Sequence, residues 1–312
     1  IFRNNLLTRS DYPLVSIVMA CYQGEKYLAI QVDSLLAQDY PNLEFIFIDD
    51  ASQDSTWEIL QGFAQQDSRV KITQNASNIG YRKTFEKGIH LATGDLIALS
   101  DQDDYWLPTK ITKLQKAIGD ASLIYADSDL VDAAGKPTGQ KMSNIKSQIA
   151  YDSPLMYTFG AWAPGHSMLF KRDLLAFALP TVEFVTHDYL IGFAATCANG
   201  IAYLTESLVH YRQHESNTIG ADLKKAKKPK QTSHERIARI IARLNLLQGR
   251  CPAGKDQKVL LEFYLACKGT NLIDRIKRVR IVLAHRDSML AYKGKSAFGK
   301  FAYCFKLFFA LY

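Results

Sequence analysis

Short apolar, β-rich runs alternate with amphipathic segments along the first hundred residues, and this alternation restricts the fold more than any other feature. The runs are Leu14–Ala20, Leu43–Ile48, Val70–Thr73 and Leu96–Leu99, with helix-like stretches at Glu25–Gln38, Ser55–Gln65 and Tyr81–Leu91 between them. Strands alternating with helices predict a mostly parallel sheet flanked by helices, a doubly wound, Rossmann-like α/β domain. In such sheets ligands bind beyond the carboxyl ends of the strands.

Polar residues collect at those ends. The first strand runs into Cys21–Glu25, the second into Asp49–Ser52, the third into Asn75–Gly80, and the fourth into Ser100-Asp101-Gln102-Asp103-Asp104-Tyr105-Trp106. Three carboxylates at the end of a buried strand need a cation or strong donors, because unpaired buried charge is costly. Hard ions such as Mg²⁺ and Mn²⁺ prefer oxygen ligands and are often shared between a carboxylate and a substrate phosphate. One reading is therefore a metal–diphosphate site; the other is an acidic turn in which Asp103 or Asp104 caps the next helix. Asp49 or Asp50 stands where a carboxylate accepts from a nucleobase or ribose hydroxyls, while Asp54 and Ser55 suit the cap of the helix starting near Thr56. Gly24 allows backbone to approach a ligand closely, and Asn78-Ile79-Gly80 could present main-chain amides. The absence of G-x-G-x-x-G and of a P-loop Lys-Ser/Thr counts against dinucleotide or ATP binding.

Taken in order, ACYQGEKYL (20–28), FIDDASQDST (47–56), NIGYRKTFEKGIHLATGD (78–95) and LSDQDDYW (99–106) resemble inverting glycosyltransferases of family 2, with the GT-A fold. The resemblance runs from about residue 14 to about residue 220. With YRQHESN at 211–217 it looks most like bacterial rhamnosyltransferases of surface polysaccharide assembly. It implies a nucleotide-diphosphate sugar donor (dTDP- or UDP-linked), Mg²⁺ or Mn²⁺, and a glycan or lipid-linked acceptor. Ala20, Tyr22, Glu25, Asp50, Asn78, Gly80, Asp101 and Gln102 fall where the family binds the nucleotide sugar, and Asp103 falls on the metal ligand of its D-x-D pattern. Asp188, ahead of the helix-like 190–197 stretch, matches the general base. Gly165, His166 and His187 fall on the acceptor side. Beyond an expected strand at 201–211, Arg212 could neutralise diphosphate charge and His214 could ligate the metal.

Charge divides the chain. Residues 221–312 hold 21 Lys and Arg against six Asp and Glu, within a whole-chain net charge of +7. The expected organisation is a GT-A domain over 1–220, with a nucleotide-sugar half at about 14–105 and an acceptor half at about 106–220, followed by a basic helical region at 221–312. A Lys-rich run at 224–230 reads as a linker, and helix-like stretches follow at 234–248, 258–267 and 271–286. The aromatic end at 297–312 is too short to span a membrane. It either lies on an anionic membrane surface or packs against the rest of the protein. No nucleic-acid-binding motif accompanies the charge. Five scattered cysteines without a C-x-x-C pair suit a reducing cytosol. The expectation is a cytoplasmic, metal-dependent inverting transferase of a deoxyhexose such as rhamnose, peripheral at the inner membrane face if the basic region binds lipid. A hexosyltransferase using a UDP-sugar, a nucleotidyltransferase and a nucleotide-sugar-binding subunit without turnover are the alternatives.

Overall fold

A computed structural model gives the fold and describes residues 12–182, 184–215, 233–293 and 296–309. In chain order the elements are β1 (Val15–Cys21), α1 (Leu28–Leu36), β2 (Leu43–Asp49), α2 (Thr56–Gln66), β3 (Val70–Gln74), α3 (Tyr81–Leu91), β4 (Leu96–Ser100), β5 (Tyr105–Trp106), α4 (Lys110–Ala117), β6 (Leu123–Val131), β7 (Pro137–Lys141), α5 (Met142–Ile145), β8 (Met168–Lys171), α6 (Leu175–Ala178), α7 (His187–Cys197), β9 (Ile201–Arg212), α8 (Ser233–Arg250), α9 (Lys255–Lys268), α10 (Leu272–Ala284), α11 (Arg286–Met289) and α12 (Ala297–Phe309). The Lys-rich run at 224–230 and the expected boundary at 220/221 lie outside the described residues, as do Ser216 and Asn217.

The sheet order is β3-β2-β1-β4-β8-β6-β9-β5, with β7 paired to β6. Its first four strands form the parallel unit the sequence predicts, in register Val15 with Leu43 and with Leu96. Beyond β4 the sheet becomes mixed: β8 runs antiparallel to β4 and to β6, β9 runs parallel to β6, and β5 antiparallel to β9. Side chains of period two bury on both faces. Val15, Ile17 and Met19 with Phe45 and Phe47 pack on one side, under α1, α2 and α4. Val18 with Ile46 and Ile48 packs on the other, against α3 and α7. Gly88 lets α3 lie close, since a Cβ there would stand 2.5 Å from Val18 Cγ1.

The C-terminal helices share that second core. Leu244, Leu247, Leu260, Phe263, Val282 and Cys304 join the cluster that holds Tyr157, Ile191 and Phe193. Their inward faces therefore pack on the 154–157 segment and α7. No helix among the described residues is long and apolar enough to cross a membrane.

Glu44 on β2 is 6% exposed and ties three elements together. It accepts from Ser16 Oγ at 2.5 Å, Lys71 Nζ at 2.7 Å, and the Thr93 amide at 2.7 Å and hydroxyl at 2.8 Å. Burial raises its pKa, but these donors outweigh it and pull the carboxyl down to about 2. A depressed carboxylate stabilises the fold above its unfolded pKa, and that stability is lost as pH falls through the folded value. The Glu44→Gln variant should be less stable than wild type by about 2–3 kcal/mol near neutral pH. Urea titrations should show the gap closing as pH falls from 4.5 toward 2; a gap independent of pH would contradict the assignment.

Candidate active site

The carboxyl ends of β1, β2 and β4, the loop before α3 and the start of α7 converge on one cleft of about 920 Å³. Ala20, Tyr22, Glu25, Asp50, Asn78, Gly80, Asp101, Gln102, Asp103, Gly165, His166, His187, Asp188 and His214 all line it. The structure thus brings the candidates named from sequence into one cleft, with one exception.

That exception is Arg212. It is 5% exposed, with Nε donating to the Asp103 carbonyl at 2.8 Å and Nη1 to the Ala133 carbonyl at 3.2 Å. Its guanidinium also lies 4.7 Å from the Tyr27 ring centre. A fork held by main-chain carbonyls and an aromatic face supports the acidic loop from behind and does not line the cleft.

Where the ends of β1, β2 and β4 meet the loop before α3, the loops lock each other. The Asp50 carboxylate accepts from Asn75 Nδ2 at 2.8 Å, the Ile79 amide at 2.9 Å and the Gly80 amide at 2.8 Å. Its charge thereby fixes the loop that starts α3. Gln102 pairs with the Tyr22 main chain in both directions, at 2.8 and 2.9 Å. Gly24 passes directly beneath, where a Cβ would come within 2.5 Å of Gln102 Oε1. Glu25 accepts from the Ser55 amide at 3.1 Å, and Asp54 accepts from the Thr56 amide at 3.1 Å and the Glu25 amide at 3.1 Å. Asp54 therefore tethers the start of α2 as expected, while Ser55 makes no side-chain cap.

The acidic loop is not a helix cap: α4 begins after Thr109, and neither Asp103 nor Asp104 reaches it. Asp103 Oδ2 lies 2.7 Å from His214 Nε2, and the two side chains are 15% and 12% exposed. Asp101 is more open, its side chain 44% exposed into the cleft; desolvation within that recess, and then the neighbouring charges of Asp103 and Asp188, raise its pKa to about 7. Asp104 is fully buried; Oδ1 accepts from the Arg212 amide at 3.1 Å, and Oδ2 has no partner. Burial, Asp103 and Asp101 push its pKa well up. Two donor sets could thus hold a cation: Asp103 with His214, and Asp101, Asp104 and His166, whose ligand atoms lie within 4.8 Å of one another. The first faces the cleft from two partly exposed side chains, as an ion shared with a ligand phosphate requires. The second has its Asp104 oxygens behind the cleft wall.

On the far side, His166 contacts Ser128 Oγ at 2.9 Å and stacks on Tyr211 at 4.4 Å. Burial, and then Lys110, depress its pKa to about 3, so it is neutral at physiological pH. His187 stacks on Phe85 at 4.3 Å, and its Nδ1 has no partner. Asp188 sits in the first turn of α7, and its Oδ1 accepts from the Tyr189 amide at 2.8 Å. Thr186 occupies the N-cap position, so Asp188 is set one step inside the helix, facing the cleft.

Sequence reasoning missed Lys110, whose side chain is fully buried. Its Nζ donates to the His166 carbonyl at 2.6 Å and sits 3.0 Å from the Trp106 ring centre. Burial lowers its pKa strongly, against the pull of Asp104 and Asp101. Nothing distinguishes it in sequence from an ordinary helix lysine. Tyr27, Tyr81, Lys146 and Trp162 also line the cleft unforeseen; Lys146 Nζ lies 4.0 Å from the Trp162 ring centre.

Comparison with known proteins gives this geometry its context. The putative glycosyltransferase EpsH of Bacillus subtilis is 28% identical over 225 residues, covering 67% of this chain and 63% of that protein. This chain therefore spans just under two thirds of that relative's own length. The Escherichia coli UDP-Glc:alpha-D-GlcNAc-diphosphoundecaprenol beta-1,3-glucosyltransferase WfaP is 35% identical over 124 residues, covering 38% of this chain and 49% of that one. Residues 1–349 of S. aureus TarS in complex with UDP-GlcNAc superpose with a TM-score of 0.60 at 15% identity, over 94% of this chain and 89% of that one. The sheet and its flanking helices are thus a GT-A fold. The model of glycosyl transferase family 2 matches residues 16–176, about half the chain, and the protein belongs to that family.

Proposed function

We propose that the protein is a metal-dependent inverting glycosyltransferase that moves a sugar from a nucleotide-diphosphate donor to a growing surface glycan on a lipid-linked acceptor. The observation that carries this reading is the meeting of Asp101, Asp103, His214 and Asp188 in one cleft. WfaP is named for a UDP-linked donor and a diphosphoundecaprenol-linked acceptor, and TarS was solved with UDP-GlcNAc; both support the donor class. A cleft of about 920 Å³ suits a ligand of that size.

The Asp103–His214 pair fits a divalent ion such as Mg²⁺ or Mn²⁺, because a carboxylate oxygen and an imidazole nitrogen stand together at the cleft surface. Bound there, the ion would offset the charge of the leaving diphosphate. The chain's own residues do the rest. The Asp50 clamp on Ile79 and Gly80, and the Gln102 pair on Tyr22, hold the donor side rigid. Asp188 accepts the proton of the acceptor hydroxyl as that oxygen attacks the anomeric carbon from the face opposite the diphosphate. A positioned carboxylate base contributes roughly 10²–10⁴-fold. His166 and His187, both lowered in pKa chiefly by burial, offer neutral imidazoles to acceptor hydroxyls.

For the donor we favour a deoxyhexose such as rhamnose on dTDP, on the sequence resemblance of the 100–106 and 211–217 segments; a hexose on UDP is the second choice. Thermal-shift measurements with UDP, dTDP and GDP in the presence of Mn²⁺ separate these. The largest shift should come with dTDP, and a shift with UDP alone would favour the second.

The Asp103→Asn variant keeps side-chain size but removes one ligand charge. Metal-dependent nucleotide binding and sugar transfer should both be lost while the circular dichroism spectrum is retained. Transfer that persists in excess chelator would contradict the metal assignment.

The Asp188→Asn variant keeps the bond to the Tyr189 amide within reach but cannot take a proton. Turnover should fall by about 10²-fold or more with nucleotide affinity unchanged. A mere helix-end role would instead cost about 1 kcal/mol of stability with near-normal turnover. Measuring kcat and Tm on one preparation separates the two.

A further inference from the structure

Two C-terminal helices carry an apolar outer face. On α10, Leu272 is 62% exposed, Ile273 64% and Ile276 44%. On α12, Phe298, Phe301 and Phe305 are 80%, 47% and 48% exposed and recur at helical spacing, which places them on one stripe. Six large apolar side chains exposed on two helices that pack together mark a binding surface rather than scattered single residues. The inner faces are not involved. Val279, Val282 and Cys304 are buried in the body of the protein.

The charge around this face names the partner. Among the described residues, the side chains of Arg275, Lys277, Arg280, Arg286 and Lys300 reach solvent on these helices and the turn between them, against Asp274 and Asp287. Lys277 and Arg280 are exposed on the same helix as the aliphatic residues, one and four positions beyond Ile276. A phenylalanine and isoleucine stripe rimmed by basic side chains is complementary to a surface that is apolar inside and anionic at its rim. A second copy of this chain would bring like charges together.

The unit is also joined to the cleft. The Tyr292 hydroxyl donates to the Phe159 carbonyl, and the Phe159 ring packs edge-on against Phe263 of α9 and Tyr303 of α12. Three residues further along that segment, Trp162 lines the cleft.

We propose that the outer face of α10 and α12 docks the protein peripherally on an anionic lipid bilayer, with Leu272, Ile273 and Phe298 entering the headgroup boundary and Lys277 and Arg280 meeting lipid phosphates. This identifies the surface by residue and stands independently of which sugar is transferred.

Cosedimentation of the full chain with phosphatidylcholine vesicles, with and without about one-third phosphatidylglycerol, tests it. Wild type should bind the mixed vesicles, less so as salt rises over the range that screens surface charge, and bind pure phosphatidylcholine weakly. The combined L272S, I273S and F298S variant changes the most exposed side chains and should partition at least tenfold less. The K277E and R280E variant should lose the preference for phosphatidylglycerol. Both should transfer sugar to a soluble acceptor like wild type, so failure of the transferase reading would be seen separately. Wild type that ignores the mixed vesicles, or a serine variant that binds as well as wild type, would overturn the proposal. So would a wild-type dimer at micromolar concentration that the serine variant dissolves.

Discussion

A carboxylate taken out of water must find a cation or a donor, and this protein sets four of them around one strand end and one helix start. Asp101, Asp103 and Asp104 follow β4, and Asp188 opens α7 close enough to raise the pKa of Asp101. The surroundings answer this charge in layers. Arg212 and Lys110 are buried behind the loop, and each is turned onto a main-chain carbonyl. The Arg212 guanidinium stands behind the loop as its counter-charge, while burial works against the charged form of Lys110. At the cleft surface Asp101 and Asp188 line the wall, and Asp103 stands beside His214. A loop braced from behind that presents carboxylates in front is the setting in which the proposed cation would bind.

The same logic orders the donor side with neutral parts. Asp50 spends its charge on Asn75 and two amides of the loop before α3, and Asp49 on Ser52 and Gln74. These buried acids act as fasteners between strand ends. Because each loop is held by its neighbour's side chain, the cleft wall is formed before a ligand arrives, which lowers the ordering cost of binding.

The sequence made the parallel half of the sheet legible, since Val15–Cys21, Leu43–Asp49 and Leu96–Ser100 are apolar on both faces and bounded by polar turns. It did not reveal β6, whose Asp127, Ser128 and Asp129 interrupt the apolar pattern yet lie in the sheet. There Asp127 accepts from the Ser128 amide and from Ser143, so burial of polar side chains is met by local donors that a periodicity argument does not see. Nor did it show that β8 would reverse direction. Ala20, Tyr22, Asp50, Asn78, Asp101 and Asp103 were legible because they follow strand ends, whereas Gly165, His166, His187 and Asp188 were named through the family resemblance alone. Arg212 was not, since a charged residue beside an active loop reads alike whether it faces the ligand or braces the loop. Lys110 gave no signal, because its burial depends on how α4 falls across Trp106.

The central claim is that the cation site is made by Asp103 and His214. A crystal soaked with Mn²⁺ and a nucleoside diphosphate, measured for anomalous scattering at the manganese edge, tests it directly. The account predicts one strong peak within bonding distance of Asp103 Oδ2 and His214 Nε2, with diphosphate oxygens completing its coordination. A peak seated instead among Asp101, Asp104 and His166, or none near the acidic loop while the nucleotide is bound, would contradict it.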